Sequence, residues 1–410
     1  MKQKKEGLNS FFFSKEINTL DGFAVPQPKI VIGTIVRNFD RSDFIIRFLE
    51  NAKKYGHSIY RIIVAYSHDF YEEEAKKLVE KAEVSFIKLN HNTISNKWLS
   101  ELGISEEVQK ILLYCDLLQE HNLVPYGFNR NTVLLEAIRI DADILIYVDS
   151  DVFPEVLFDD KKKKEIIRKE VDFIGEHVKW LNRGADVTSS EYSGFNILPV
   201  AYFPKMNNLL EFMQKEEMKG FWCNSRKNHS LLLQKNMNLF PVRTKKILGG
   251  NLGIRLASFV KMPPFFSYFY LCGGKTYLCR GEDTLWGLNF SKYKINCVDI
   301  DLHILHDTYG NYPKIPYLKS DTAVQKRFFY ACAGWIGRNV FMNRLTKTPG
   351  KPRDLLKSGT EELYRYTGNS KFLQLPDMLN SAEKMLPDMI CNYEKTVMAW
   401  ENLKGKVLRP

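Results

Sequence analysis

Asp149 and Asp151 close an apolar run, Ile144-Leu145-Ile146-Tyr147-Val148, with only Ser150 between them. Residues two apart on an extended chain project from the same side. As such a strand loosens into a turn, both carboxylates can converge on one divalent cation. Hard oxygen ligands of this kind suit Mg²⁺ or Mn²⁺ carrying a diphosphate, which points to a nucleotide-activated substrate. The bland alternative is a turn bearing two solvated acids.

Four further sites carry residue types that fit the same chemistry. Upstream, Arg130-Asn131 begins a helical pattern, where a guanidinium and free backbone donors together attract an anion. Downstream, Gly249-Gly250-Asn251 forms a turn that lets backbone approach a ligand where a Cβ would clash. Glu282 and Asp283 open another helical segment ahead of Trp286. One of the two acids could accept the proton of an attacking hydroxyl, or both could simply favour the positive helix end. Last, His306 follows an apolar strand, with His303 as the fallback, and imidazole is a good Mn²⁺ ligand beside carboxylates.

Arg-Asn, Asp-x-Asp, Gly-Gly-Asn, Gly-Glu-Asp and a late histidine, in that order, resemble the nucleotide-sugar glycosyltransferases of the GT-A fold, of the family-2 kind, over residues 29–310. The resemblance implies metal-dependent transfer of a sugar from a nucleotide-diphosphate donor to an acceptor hydroxyl on a glycan or a lipid-linked carrier, as in polysaccharide biosynthesis. Thr34, Arg37, Asn38 and Asp69 would then border the nucleoside. Arg130, Asn131, Asp149 and Ser150 would face the ribose and diphosphate. Asp149, Asp151 and His306 would hold Mn²⁺ or Mg²⁺. Asp283 would be the catalytic base with Glu282 beside it, and Gly249, Gly250, Asn251 and Trp286 would line the sugar and acceptor pocket. A base placed across the sugar from the phosphate favours inversion, although retention stays open. The chain departs from the family pattern twice. The interval from Asp151 to Gly249 requires an insertion, and Ala65-Tyr66-Ser67-His68-Asp69 lacks the usual pair of acids.

These residues need a scaffold, and the pattern supplies one. Lys29–Val36, Tyr60–Ala65, Val84–Leu89 and residues 143–148 read as strands. Helical spacing lies between them: Phe44 to Ala52, Tyr71 to Lys81, residues 104–121 and about 129–140. Alternating strands and helices predict an α/β fold of GT-A type, with a Rossmann-like, mainly parallel sheet flanked by helices. Ligands in such sheets sit beyond the carboxyl ends of strands, where Arg37-Asn38, Ser67-His68-Asp69 and Asp149-Ser150-Asp151 all fall. Residues 181–247 read as long loops over the site, and Lys161–Lys164 as a solvated charge run. From Asp321 a helical C-terminal extension begins, interrupted by Pro349 and Pro352 and ending in a helix over Asp377–Leu403. The expected division is an N-terminal arm (1–28), a catalytic domain (29–310) and a helical region (311–410).

Composition bounds the rest. Over 410 residues, 44% are hydrophobic, enough for a large core. No apolar run is long enough to span a bilayer. Seven scattered cysteines without a C-x-x-C spacing suit reduced thiols and a cytoplasmic setting, not a disulfide framework or zinc site. The +11 charge favours anionic partners: nucleotides, nucleic acid or an anionic membrane surface. Peripheral membrane contact through the aromatic and basic C-terminal helices would suit a lipid-linked acceptor. Two rival readings are a metal-dependent nucleotidyltransferase and a basic nucleic-acid binder. The first would need a Gly-rich loop where Gly33 stands alone, and the second has no recognised module here, so nucleic acid is not the expected partner.

Overall fold

The structure is a computed structural model that describes residues 27–89, 94–113, 116–215, 231–235 and 239–407. The expected N-terminal arm lies outside them apart from Gln27 and Pro28. In chain order the strands of the first half are β1 (Ile30–Val36), β2 (Ile59–Tyr66), β3 (Val84–Lys88), β4 (Ile144–Tyr147), β5 (Val152–Asp160), β6 (Glu165–Glu170), β7 (Val187–Ser189) and β8 (Tyr192–Phe195). Those of the second half are β9 (Leu231–Leu232), β10 (Val242–Arg243), β11 (Leu252–Arg255), β12 (Phe269–Cys272), β13 (Lys275–Leu278), β14 (Cys297–Asp299) and β15 (Ile304–His306).

The central sheet runs β10-β14-β7-β11-β4-β1-β2-β3. Strands β3, β2, β1 and β4 are mutually parallel, whereas β11 runs antiparallel between β4 and β7. Both faces are covered, which is why β1 and β4 are buried at every position. Helices α1 (Asp43–Lys54), α2 (Glu72–Val79) and, later, α7 (Phe173–Asn182) cover one face. There Ile32, Ile146 and Val148 pack with Phe44, Phe48, Leu78 and Ile174. The other face takes Val31, Leu145 and Tyr147, packed on Val133, Leu134 and Ala137. Those three residues belong to α6 (Tyr126–Arg139), which follows α3 (Ile94–Glu101), α4 (Glu106–Leu113) and α5 (Asp116–His121). The expected mainly parallel α/β sheet is the one the chain adopts.

The elements differ from expectation in two places. The single helix read over 104–121 is divided between α4 and α5, and residues 114 and 115 lie outside the described set. Residues 181–247, read as loops, include β7, β8, β9, β10 and α8 (Met206–Phe212). Strands β8, β9 and β5 with β6 and β15 build a second sheet, ordered β6-β5-β15-β8-β9. Lys161–Lys164 forms the exposed turn of the β5–β6 hairpin.

After α9 (Glu282–Leu288) and α10 (Phe290–Tyr293), the chain ends in α11 (Thr322–Thr346), α12 (Arg353–Thr367) and α13 (Leu375–Val407). Asp321 caps α11 by accepting from the backbone N–H groups of Ala323 and Val324. Phe328, Phe329, Trp335 and Met378 are buried together with Tyr270 and Tyr277 of the β12–β13 hairpin. Trp400 and Leu403 of α13 enter the core of the central sheet beside Leu112. Most aromatic side chains of the C-terminal helices thus serve packing. Among the described residues, no helix is long and apolar enough to cross a membrane.

Candidate functional site

Alternation along β4 explains where the acids go. Leu145 and Tyr147 face α6, so Asp149, two residues on, faces it as well. Its Oδ1 lies 3.3 Å from Nη2 of Arg130, one turn into α6. Arg130 is the hub of the site. Its Nη1 donates to the Gly249 carbonyl at 3.0 Å, its Nε lies 3.5 Å from Glu282, and its guanidinium sits 5.1 Å from the Tyr147 ring centroid. Burial opposes the Arg130 charge, but Asp149 and Glu282 outweigh it and hold the group firmly protonated.

The Gly249-Gly250 turn closes around this hub. A Cβ on Gly249 would stand 2.1 Å from Arg130 Nη2, and one on Gly250 would stand 2.7 Å from Asp149 Oδ2. The Gly249 N–H donates to Asp283 Oδ2 at 3.2 Å, and the Gly250 N–H donates to the Tyr192 hydroxyl at 2.8 Å. Asp283 also accepts from the Thr284 N–H at 2.6 Å, as expected of an acid at a helix start. Burial and the Asp283 charge push the Glu282 carboxyl upward, towards the protonated form at neutral pH. Burial raises Asp149 too, against the pull of Arg130.

Asp151 has different company. The β5–β15 pairing sets His306 opposite Val152, and the Asp307 N–H donates to the Asp151 carbonyl at 2.8 Å. That register brings His306 Nε2 to 3.1 Å from Asp151 Oδ2. The imidazole is held by Thr308 on Nδ1 at 3.2 Å and leans on the Tyr192 ring, with centroids 4.5 Å apart. Arg327 of α11 reaches the same Asp151 oxygen at 3.1 Å. Burial alone would raise the Asp151 carboxyl, but His306 and Arg327 win and hold it well below the ordinary range.

Asp151 and His306 therefore meet, while Asp149 turns to Arg130. Among the described residues, no three His, Cys, Asp or Glu side chains are grouped to hold a metal ion. The three residues expected to share a metal are divided in this structure: Asp151 pairs with His306, and Asp149 pairs with Arg130. His303, the fallback, pairs with Asp301 at 3.4 Å instead.

Four other expected site residues meet a packed interior. Trp286 is fully buried, stacked on Phe265 with its indole N–H on the Pro263 carbonyl. Asn131 is buried and bridges the carbonyls of Leu112 and Phe265. Asn251 is buried likewise, donating to Glu191 and Leu302 carbonyls beside His177. Both amides hold backbone together. Thr34 is enclosed on β1, its hydroxyl without a hydrogen-bond partner among the described residues.

Arg37, Asn38 and Asp69 stand at the carboxyl ends of β1 and β2, where Asn38 Oδ1 accepts from the Asp69 N–H at 3.4 Å. Arg37 and His68 both bond Asn122, and the Ser150 carbonyl accepts from Arg41 at 2.9 Å. Sequence reasoning missed Arg327, Tyr192 and Tyr126. Tyr126 begins α6 with part of its side chain open to solvent, within electrostatic reach of Arg280, Glu282, Asp149 and Asp151. No short-range motif marks any of the three, since each comes from an element distant in sequence from the acids it serves.

No protein-family model matches the chain, and no curated protein matches it in sequence. Among solved structures, the chain is similar to glucosyl-3-phosphoglycerate synthase from Mycobacterium tuberculosis. The complex of that protein with Mn²⁺, uridine diphosphate and phosphoglyceric acid has 11% identity and a TM-score of 0.35, covering 75% of this chain and 78% of that one. Its complex with Mg²⁺ and uridine diphosphate has 11% identity and a TM-score of 0.35, covering 75% and 79%. A mycobacterial protein has 12% identity and a TM-score of 0.34, covering 75% and 74%.

Proposed function

We propose that this chain is a glycosyltransferase that moves a sugar from a nucleoside-diphosphate donor to an acceptor hydroxyl, on a glycan or a lipid-linked carrier. One observation carries the reading: a buried guanidinium, Arg130, held among Asp149, Glu282 and the Gly249 carbonyl beside the Asp151–His306 pair. Fixed positive charge stands here next to a carboxylate–imidazole pair at the carboxyl edge of a parallel sheet, where such sheets bind ligands.

The donor set suits Mn²⁺ or Mg²⁺. Asp151 and His306 would hold the ion from the protein side, leaving its other positions to diphosphate oxygens and water, as such ions commonly require. When bound, the cation supplies charge that stabilises a departing diphosphate.

The chain's own residues supply the rest. Arg130 presents a pre-oriented charge where negative charge gathers as the glycosidic bond to phosphate breaks. Its surroundings are already organised, so little reorganisation accompanies the reaction. Asp149, tied to Arg130, faces the ribose side, and Arg37, Asn38 and Asp69 border the nucleoside. Asp283, oriented by the Gly249 and Thr284 N–H groups, takes the proton of the attacking hydroxyl. Glu282 beside it helps orient the acceptor. Direct displacement with inversion follows from a base on that side.

A thermal-shift panel of nucleoside diphosphates and their sugars, each with and without Mn²⁺, tests this. The reading expects one donor to raise the melting temperature selectively and more strongly with Mn²⁺. No stabilisation by any donor in the presence of the cation would end it.

A further inference from the structure

Arg280 lies just ahead of the Gly281-Glu282-Asp283 turn and points outward, exposed. Its backbone N–H donates to the carbonyl of Gly334 within α11 at 3.1 Å. Its stem lies across the same glycine, since a Cβ on Gly334 would stand 2.4 Å from Arg280 Cγ. The side chain is therefore seated on α11. Its guanidinium nevertheless makes no ion pair or hydrogen bond with another described residue. A seated but unpartnered arginine beside a cluster of acids is unusual, because nearby carboxylates ordinarily claim it.

Gly334 lies seven residues after Arg327, two helical turns along, so both face the same way on α11. Arg327 spends one nitrogen on Asp151 and keeps its other donors. Tyr309 lies within electrostatic reach of both, and its hydroxyl donates to the Ile197 carbonyl at 2.8 Å. Burial raises that phenol, and Arg327 and Arg280 pull it down, which locates both cations near it.

We propose that Arg280 and Arg327 form an anion-binding subsite that takes the acceptor by a phosphate or carboxylate group. The proposal rests on the glycosyl-transfer reading and names the class of acceptor for that site. Asp149, Asp151, Glu282 and Asp283 would repel an anionic acceptor unless cations met it at the entrance. Planar guanidinium forks match the paired oxygens of phosphate and carboxylate. Arg280 lies three residues before Asp283, the base of the proposed transfer. Arg130 stands apart from it, deep on α6.

The same chemistry could instead serve the donor diphosphate, and titration calorimetry on the full chain with Mg²⁺ separates the two. Inorganic phosphate is titrated into the wild type, Arg280→Gln and Gly334→Ala, the last chosen to displace the Arg280 stem while keeping its charge. Each protein is also titrated with the nucleoside diphosphate and checked for an unchanged melting temperature. We expect phosphate to bind the wild type and both variants to weaken it about tenfold, with nucleotide affinity unchanged within about twofold. Phosphate binding that is absent from the wild type, or equal in Arg280→Gln, overturns the subsite. Parallel loss of nucleotide affinity in Arg280→Gln overturns it too, by assigning the cation to the donor. If phosphate binds through Arg280 but no nucleotide or nucleotide sugar binds any of the proteins, the anion site stands and the glycosyl-transfer reading fails instead.

Discussion

Replacing Gly249 by alanine tests whether the turn and the Arg130 hub are built as one unit. The added Cβ would stand 2.1 Å from Arg130 Nη2 and 2.6 Å from its Cζ. Ordinary contact needs well over an ångström more, and the guanidinium has little room to retreat because it is boxed in by Tyr147, Asp149 and Glu282. Moving it breaks the 3.0 Å bond to the Gly249 carbonyl and the 3.3 Å contact with Asp149. Bonds from a charged group contribute ~1.5–3 kcal/mol each, and unpairing a buried charge costs ~3–5 kcal/mol. Asp149 stays partly open to water, which screens the loss, so we expect about 3 kcal/mol. Urea denaturation measures it, with Gly350→Ala as the control, since a Cβ there meets nothing within 4 Å. A Gly249→Ala protein as stable as the control, with unaltered nucleotide binding, refutes the hub.

Three other outcomes follow from the same geometry. Asp151→Ala and Asp283→Asn should each lower transfer by ~10²–10³ or more, but calorimetry should show weakened Mn²⁺-dependent nucleotide binding only in the former; equal binding losses would merge the two roles. Trp286→Ala should cost ~3–5 kcal/mol of stability by removing a core side chain, while the nucleotide affinity of the folded fraction stays the same; a selective affinity loss would return Trp286 to the pocket. His177 is buried, and burial depresses its imidazole to about 4. The unfolded chain therefore takes up a proton that the folded chain refuses, so stability is complete above about pH 6.5 and falls as pH drops towards 4, by about 3 kcal/mol. Urea midpoints between pH 7 and 4 should show this slope, and His177→Gln should flatten it; an unchanged slope in the variant would assign the acid sensitivity elsewhere.

The parts of the fold legible in the sequence are those where burial leaves no choice of residue. Strands β1 and β4 are covered on both faces and read as unbroken apolar runs. Most of the second sheet was not legible, because β8 and β9 are four and two residues long and carry no period. Misreadings of side chains share a cause as well. Asn131, Asn251 and Trp286 flank motifs and have polar or aromatic chemistry, yet each satisfies buried backbone or fills the core. The opposite error hid Arg327. On α11 it interrupts an apolar stripe and looks like a solvated face, and only the tertiary path of that helix brings it to Asp151.

Mn²⁺ binding followed by electron paramagnetic resonance tests the central claim most directly. Free Mn²⁺ is titrated against the wild type, Asp151→Ala and His306→Ala, with and without saturating nucleoside diphosphate. The account predicts tight binding only with the diphosphate present, lost in both variants. Mn²⁺ bound equally well by all three proteins, or indifferent to the diphosphate, would contradict it.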